Sequence, residues 1–274
     1  HLGLCDEAFP ADAMRMGADI SVKSVHKTLP SLTQTAILLA RHDRVDMAAL
    51  DHALDIFETS SPSYLLMASI DGCVSLMERR GAEILTSWRQ ALDEFYEGAA
   101  ALSNLRVHRQ DEPSKLVIDT TQAGITGFEL LRRLREENVE LEMASLRYAV
   151  AMTGAGDTRE TLRKFLNALK TVDRALSAPP VPPAPAPSAQ PVFASLPVLP
   201  RPVRVLPPKM ALHAPSENVP AREAVGRVSA CYAWAYPPGV PMLVPGERVP
   251  EGFAELWAEW EKSGAKLVTT RGSL

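Results

Sequence analysis

The stretch from Ser177 to Lys209, SAPPVPPAPAPSAQPVFASLPVLPRPVRVLPPK, carries about half of the chain's 23 prolines. Proline fixes φ near −65° and removes the backbone donor, so neither a helix interior nor a central strand can run through such a segment. It is expected to be an extended, semi-rigid linker without a core of its own. A spacer is its ordinary job, and recognition by a proline-binding partner is the alternative. Whatever folds must therefore do so on either side of residues 177–209.

What flanks the linker can bury a core, since the 274 residues are 46% hydrophobic. A net charge of −4 and a pI near 5.9, with both signs scattered, leave no basic surface of the kind that neutralises phosphate backbones. Nucleic acid is not an expected partner. Cys5, Cys73 and Cys231 are odd in number, far apart and never in a Cys-x-x-Cys pair. They predict neither a disulfide framework nor a metal site, and they fit a reducing cytoplasm. No apolar run reaches the ~18 residues that span a bilayer, and no secretory leader is recognisable. The chain opens at His1 on the apolar HLGLC, a strand with nothing before it, and reads as a fragment whose preceding segment is absent.

Patterning predicts short buried strands at HLGLC, Ala18–Ser24 and Thr35–His42, in a sheet expected to be parallel. A helix capped by Asp46 should run to a break at Ser61–Pro62, and a second helix from Tyr64 to about Leu102, hinged near Gly81. After Asn104 the order is strand (LRVHR), strand (KLVIDT), helix (125–137), strand (VELEMA), strand (YAVAM) and a helix over 157–176. Asp157 and Glu160 have capping-box spacing at the start of that last helix. This alternation predicts an α+β layer. Beyond the linker, turn signals, short strands and a Trp-bearing helix (253–262) predict a small α+β domain. The expected division is 1–102, 103–176, the linker 177–209, and 210–274.

Two residues suggest chemistry. Asp6 ends one strand, and Lys27 stands at the end of the next, about twenty residues later, at the edge where open α/β sheets hold ligands. Pyridoxal phosphate needs such a pair: an amine to condense with its aldehyde and a carboxylate to keep its pyridine nitrogen protonated. Ser24 and His26 beside Lys27 can bind phosphate. A strand-end salt bridge would use the same two residue types, and spacing alone does not separate the readings.

The wording around them does. GADISVKSVHKTLPSLTQTA, with DEA upstream, resembles the Orn/Lys/Arg decarboxylase family of fold-type-I pyridoxal phosphate enzymes. Further stretches agree in order: ETSSPSYLLMASID (58–71), GITGFELLRRLREENVELEMA, GDTRETLRKFLNAL and AVGRVSACYAWAYPPGVPMLVPGE (224–247). Together they cover nearly the whole chain except the linker. The resemblance implies an α/β fold: part of a fold-type-I large domain, an α+β small domain, and a small α+β C-terminal domain after the linker.

It also implies roles. Lys27 is expected to be the Schiff-base lysine, Asp6 the partner of the pyridine nitrogen, Ala8 the small residue beneath the ring, and Ser24 and His26 phosphate ligands. Thr59 is expected to reach the phosphate of a neighbouring subunit, because the family shares its active site across a homodimer or higher homo-oligomer; a helix-terminal cap is its alternative. The expected activity is decarboxylation of arginine, lysine or ornithine to the amine and CO2, as in polyamine metabolism, with no membrane partner. An aminotransferase or lyase on the same scaffold, or a catalytically inactive fragment, are the alternatives. Two departures stand out. Phe9 and Pro10 follow Asp-Glu-Ala where the family continues with His and a Gly-rich loop, and Cys231 stands where an acidic residue is usual.

Overall fold

The computed structural model describes residues 7–177, 201–236 and 239–270. The HLGLC strand and most of the Pro-rich segment lie outside these residues. The described chain gathers into two compact units: one takes the chain up to Ala101 with Val107–Leu116 and Met152–Asn167, the other takes Leu102–Arg106, Val117–Ala151 and the chain from Ala168 onward.

The first unit opens with β1 (Ile20–Lys23), the single turn α1 (Val25–Thr28) and β2 (Ile37–Ala40). β1 and β2 pair antiparallel, with Ile20 opposite Ala40 and Lys23 opposite Ile37, rather than in the expected parallel sense. The short connection between them explains this. It is spent on one helical turn and a tight loop, and a parallel crossover needs more chain, usually a full helix. The strand is also not buried as expected. Ile20 and Val22 are exposed and Lys23 is buried.

Asp46 caps α2 (Met47–Phe57) as its position predicts, accepting from the Ala49 N–H at 3.1 Å. No residue of α2 is buried. α3 runs unbroken through Tyr64–Ala99, with no hinge at Gly81, because glycine lowers helix propensity but keeps the N–H that continues the ladder. Its inward stripe is Cys73, Met77, Gly81, Leu85, Trp88, Leu92, Phe95 and Ala99, spaced by three and four residues as one helical face requires. Phe95 stacks on Phe165 at 5.3 Å between centroids.

After α3 come β3 (Arg106–His108), β4 (Lys115–Asp119), α4 (Gly127–Glu136), β5 (Met143–Ala144), β6 (Tyr148–Met152) and α5 (Arg159–Ser177). The strands form a sheet of order β3-β4-β6-β5. The VELEMA strand is cut to Met143–Ala144, and Glu140 instead forms an ion pair with Arg135 at 2.6 Å. Gly127 opens α4 where a side chain would collide with the carbonyls of Ser145 and Tyr148. The capping box of α5 is Thr158 with Thr161, each side-chain oxygen accepting from the other's N–H, not Asp157 with Glu160. Asp157 accepts from the Gly154 N–H at 2.8 Å, and Glu160 faces Lys164.

From Arg201 onward the second unit adds α6 (Pro208–His213), α7 (Ala221–Ala224), β7 (Ala233–Tyr236), β8 (Pro241–Leu243), α8 (Phe253–Lys262) and β9 (Lys266–Thr269). The antiparallel sheet of order β8-β7-β9 packs on α7 and α8 around Ala233, Leu243, Val249, Phe253 and Trp257. The end of the Pro-rich stretch joins this unit, since the N–H groups of Val205 and Leu206 both donate to Gly246 O at 2.7 and 3.1 Å. Gly246 has φ +89° and lies against Leu206 O, so both its conformation and the close approach call for glycine. Among the described residues no helix is long and apolar enough to cross a membrane.

Asp173 on α5 fixes the chain where it leaves α3. Its buried carboxylate accepts from the backbone N–H groups of Ser103, Asn104 and Leu105 at 2.8–2.9 Å. Asp173→Ala removes three charge-assisted bonds and strands their donors, which should cost on the order of 3–5 kcal/mol. Urea unfolding is the check, and a loss below about 1 kcal/mol would mean that the three donors find other partners.

Candidate active site

β1 delivers the chain to α1, and the short helix divides its four residues by burial. Val25 and Thr28 face inward, while His26 is half-buried and Lys27 exposed. Ser24 precedes them half-buried, and its hydroxyl caps no backbone N–H. The structure thus brings Ser24, His26 and Lys27 together at one turn, none of them fully buried. The imidazole is oriented: His26 Nδ1 lies 2.8 Å from Thr35 O. A carbonyl can only accept, so Nδ1 carries the proton and Nε2 is the nitrogen left for a ligand.

The inner side of this turn is held from several directions. Ala155 N–H donates to Thr28 O at 2.8 Å, next to Gly154, whose Cα lacks the side chain that would crowd the Thr28 backbone. The adjacent Thr153 accepts from the Trp88 indole N–H at 3.2 Å and donates to Ser114 O at 2.9 Å. Trp88 is buried in turn against Phe9, with ring centroids 4.7 Å apart. Ala8 is half-buried, and its carbonyl accepts from Arg89 Nη1 at 2.9 Å. Phe9 is therefore a core residue locked on α3. The departure noted after Asp-Glu-Ala serves packing.

Of the other expected site residues, Asp6 lies outside the described residues. Thr59 is exposed in the connection from α2 to α3, and its Oγ1 accepts from the Ser61 N–H at 3.2 Å. The local turn thus uses one lone pair of the hydroxyl, and among the described residues its proton has no acceptor. Around it Phe57, Tyr64 and Leu65 are 87%, 80% and 70% exposed.

Sequence reading missed a buried ion pair. Lys23 Nζ lies 3.1 Å from Asp12 Oδ1, both side chains being almost wholly enclosed. Asp12 Oδ1 also accepts from the Met14 N–H at 2.8 Å, and the buried Oδ2 has no partner among the described residues. Burial pushes this carboxyl up, but the Met14 N–H and the Lys23 ammonium outweigh it and hold it below its ordinary 3.8. The expected strand Ala18–Ser24 carried no sign of this pair, because its partner Asp12 lies on a separate segment.

A cavity of about 250 Å3 lies in the second unit, lined by Leu243, Val249 and Phe253 within and by Glu217, Arg227 and Cys231 among its polar wall. None of Ser24, His26 or Lys27 lines it. Cys231 is half-buried, its sulfur 3.8 Å from Ser229 Oγ.

Residues 5–122 match the major domain of the Orn/Lys/Arg decarboxylases, and residues 204–258 match their C-terminal domain. The chain belongs to the Orn/Lys/Arg decarboxylase family. An arginine decarboxylase of Bacillus subtilis (strain 168) is 31% identical over 263 residues, covering 92% of this chain and 52% of the relative. One of Halalkalibacterium halodurans is 30% identical over 272 residues, covering 94% and 53%. The chain thus spans about half the length of the curated relatives it matches. Among solved structures, a lysine decarboxylase of Francisella novicida superposes with a TM-score of 0.69 at 15% identity, over 92% of this chain and 47% of that one. The constitutive lysine decarboxylase of E. coli gives 0.64 at 14%, over 90% and 47%. At such identities these structures support the mixed α/β fold. They do not bear on the substrate.

The buried pair of this family member makes a pH-dependent prediction. Lys23→Met leaves the Asp12 carboxylate enclosed and unpaired, which should cost about 3–5 kcal/mol at pH 7. In the unsubstituted chain the folded carboxyl titrates below its unfolded value, so its contribution is complete above 3.8 and is lost as pH falls below it. In Lys23→Met burial dominates and the folded value rises above the unfolded one, so protonation relieves the penalty. Urea unfolding at pH 7 and pH 5 should show the deficit shrinking at the lower pH; an equal deficit at both would rule out the pair as its source.

Proposed function

We propose that this chain carries the lysine-bearing part of a pyridoxal phosphate-dependent decarboxylase acting on a basic amino acid, arginine, lysine or ornithine. The observation that carries the reading is the α1 turn. Three side chains of the right chemistry, a hydroxyl, an oriented imidazole and an exposed amine, stand together at one turn, and none is fully buried. The inner side of that turn is fixed by Val25, Thr28 and the Ala155 N–H. The donor set fits the cofactor. Lys27 would hold its aldehyde carbon, Ser24 and His26 its phosphate, Ala8 would lie beneath the ring, and Asp6 would keep the pyridine nitrogen protonated. When bound, the cofactor supplies an electron sink for the pair left as the α-carboxylate departs as CO2.

The residues of this chain contribute position and protons. Nδ1 of His26 is committed to the Thr35 carbonyl, so an anion at Nε2 requires a second ring proton, and the ring then meets the phosphate as a cation. The exposed Lys27 amine would hold the cofactor and could return a proton to the product carbon. The names of the relatives favour arginine, and the arrangement of the turn is compatible with any of the three.

Thr59 would serve a neighbouring subunit, in keeping with a homodimer or larger homo-oligomer. Its exposure and the bare apolar rim of Phe57, Tyr64 and Leu65 are what a residue acting across an interface would show. The exposure of Lys27, together with the half-length match, supports a second reading in which the chain alone binds cofactor weakly and turns over nothing.

Borohydride reduction after incubation with pyridoxal phosphate, followed by peptide mass mapping, tests the assignment. The expected result is one phosphopyridoxyl adduct on Lys27, abolished in Lys27→Ala. Labelling spread evenly over surface lysines, or unchanged in that variant, would overturn it. With the longer parent protein, release of amine and CO2 from arginine, lysine or ornithine separates decarboxylation from transamination, which would give a keto acid.

A further inference from the structure

The loop that follows α1 is tied to α3 by a run of hydroxyl groups whose directions can be worked out one proton at a time. Thr35 Oγ1 lies 2.7 Å from Leu32 O and 2.7 Å from Ser31 Oγ. It has a single proton, and a carbonyl can only accept, so Thr35 donates to Leu32 O and must accept from Ser31. Ser31 has then spent its proton, so at the 3.1 Å contact Ser69 donates to Ser31. Ser69 Oγ in turn accepts from the Leu32 N–H at 2.8 Å. The circuit runs from Leu32 N–H through Ser69, Ser31 and Thr35 and returns to Leu32 O. All its bonds point the same way around, an arrangement in which each bond polarises the next.

The circuit encloses Gln34, whose φ of +82° is left-handed and costs a residue with a side chain about 1–2 kcal/mol. It also fixes Thr35, 2% exposed, whose carbonyl is the group that takes the His26 Nδ1 proton. Ser69 is the one member of the circuit that belongs to a long helix, and so supplies its rigid anchor.

We propose that Ser69 is a positioning residue for the active turn: through Ser31 and Thr35 it sets the tautomer of His26 and aims Nε2 at the cofactor phosphate. The last clause rests on the proposed pyridoxal phosphate function, whereas the control of the tautomer does not. Ser69 touches neither cofactor nor substrate. It acts at three removes, through a loop that would otherwise relax out of its left-handed residue.

The experiment reads the His26 ring directly. Two-bond 1H–15N correlation of the labelled chain, with His26 assigned by its loss in His26→Gln, should show Nδ1 protonated. Ser69→Ala should lose that signature while keeping its fold, because alanine is the better helix former at a helical site, and Ser69→Thr should retain it. Ser31→Ala breaks the same circuit outside α3 and should match Ser69→Ala. Retention of the Nδ1–H form in both alanine variants would overturn the proposal. The second arm compares adduct yield on Lys27 with pyridoxal phosphate and with pyridoxal. Loss of an aimed, charged donor should shrink the phosphate's advantage about tenfold. If the tautomer changes and that ratio does not, the relay stands and the assignment of His26 to the phosphate fails.

Discussion

The placement of the Trp88 indole governs the rest of the candidate site. It is the largest of the fully buried side chains, on a helix whose inward stripe supplies much of the first unit's core. One of its neighbours is Phe9 and another is Thr153, far away in sequence on either side. Thr153 is followed directly by the residues that hold Thr28 O. Burying an indole removes a large apolar area from water but obliges its N–H to find an acceptor, and the acceptor found here lies two residues before the N–H that holds the Lys27 turn. A hydrophobic requirement of α3 and a geometric requirement of the turn are met by two bonds on one short segment, Thr153–Ala155.

Much of this was legible in the sequence. The α2 cap at Asp46, the span of α8 and the existence of α3, β4, α4 and α5 follow from periodicity and capping chemistry, which are local. The turn at Ser24–His26–Lys27 was legible for a different reason, as a specific order of residue types that resembles a family motif. What escaped was decided by groups distant along the chain. The α5 cap moved from Asp157 to Thr158 because Asp157 was taken by the Gly154 N–H. The antiparallel pairing of β1 and β2 is a property of the loop between them, which no strand pattern contains. Ser69 could not be recognised because a serine within a helix is ordinary until a loop 37 residues earlier in the chain is folded against it.

β1 shows how far a binary pattern can mislead. Ile20, Ser21, Val22 and Lys23 alternate in a way that puts the two branched apolar residues inside and the lysine outside. In the structure Lys23 is enclosed, Val22 is 68% exposed and Ile20 43%. The side-chain period of a strand is two, so this inversion is one decision made once for all four residues. Enclosing the ammonium is tolerable because Asp12 meets it, and the Met14 N–H shares the carboxylate. Exposing Ile20 and Val22 forgoes roughly 1.5–3 kcal/mol for each side chain that a covering layer would recover.

The inversion also bears on where Lys27 can point. With Lys23 held by Asp12 at the end of β1, the strand cannot slip by one residue without pulling the ammonium out of its pair and leaving a buried carboxylate behind. Slips of register are the cheapest errors open to a two-stranded ribbon, and here the first of them breaks an ion pair. Four residues later the chain has made one helical turn, so the direction of the Lys27 side chain is inherited from the register of β1. The buried lysine at position 23 fixes the frame, and the exposed lysine at position 27 is the group that the frame presents.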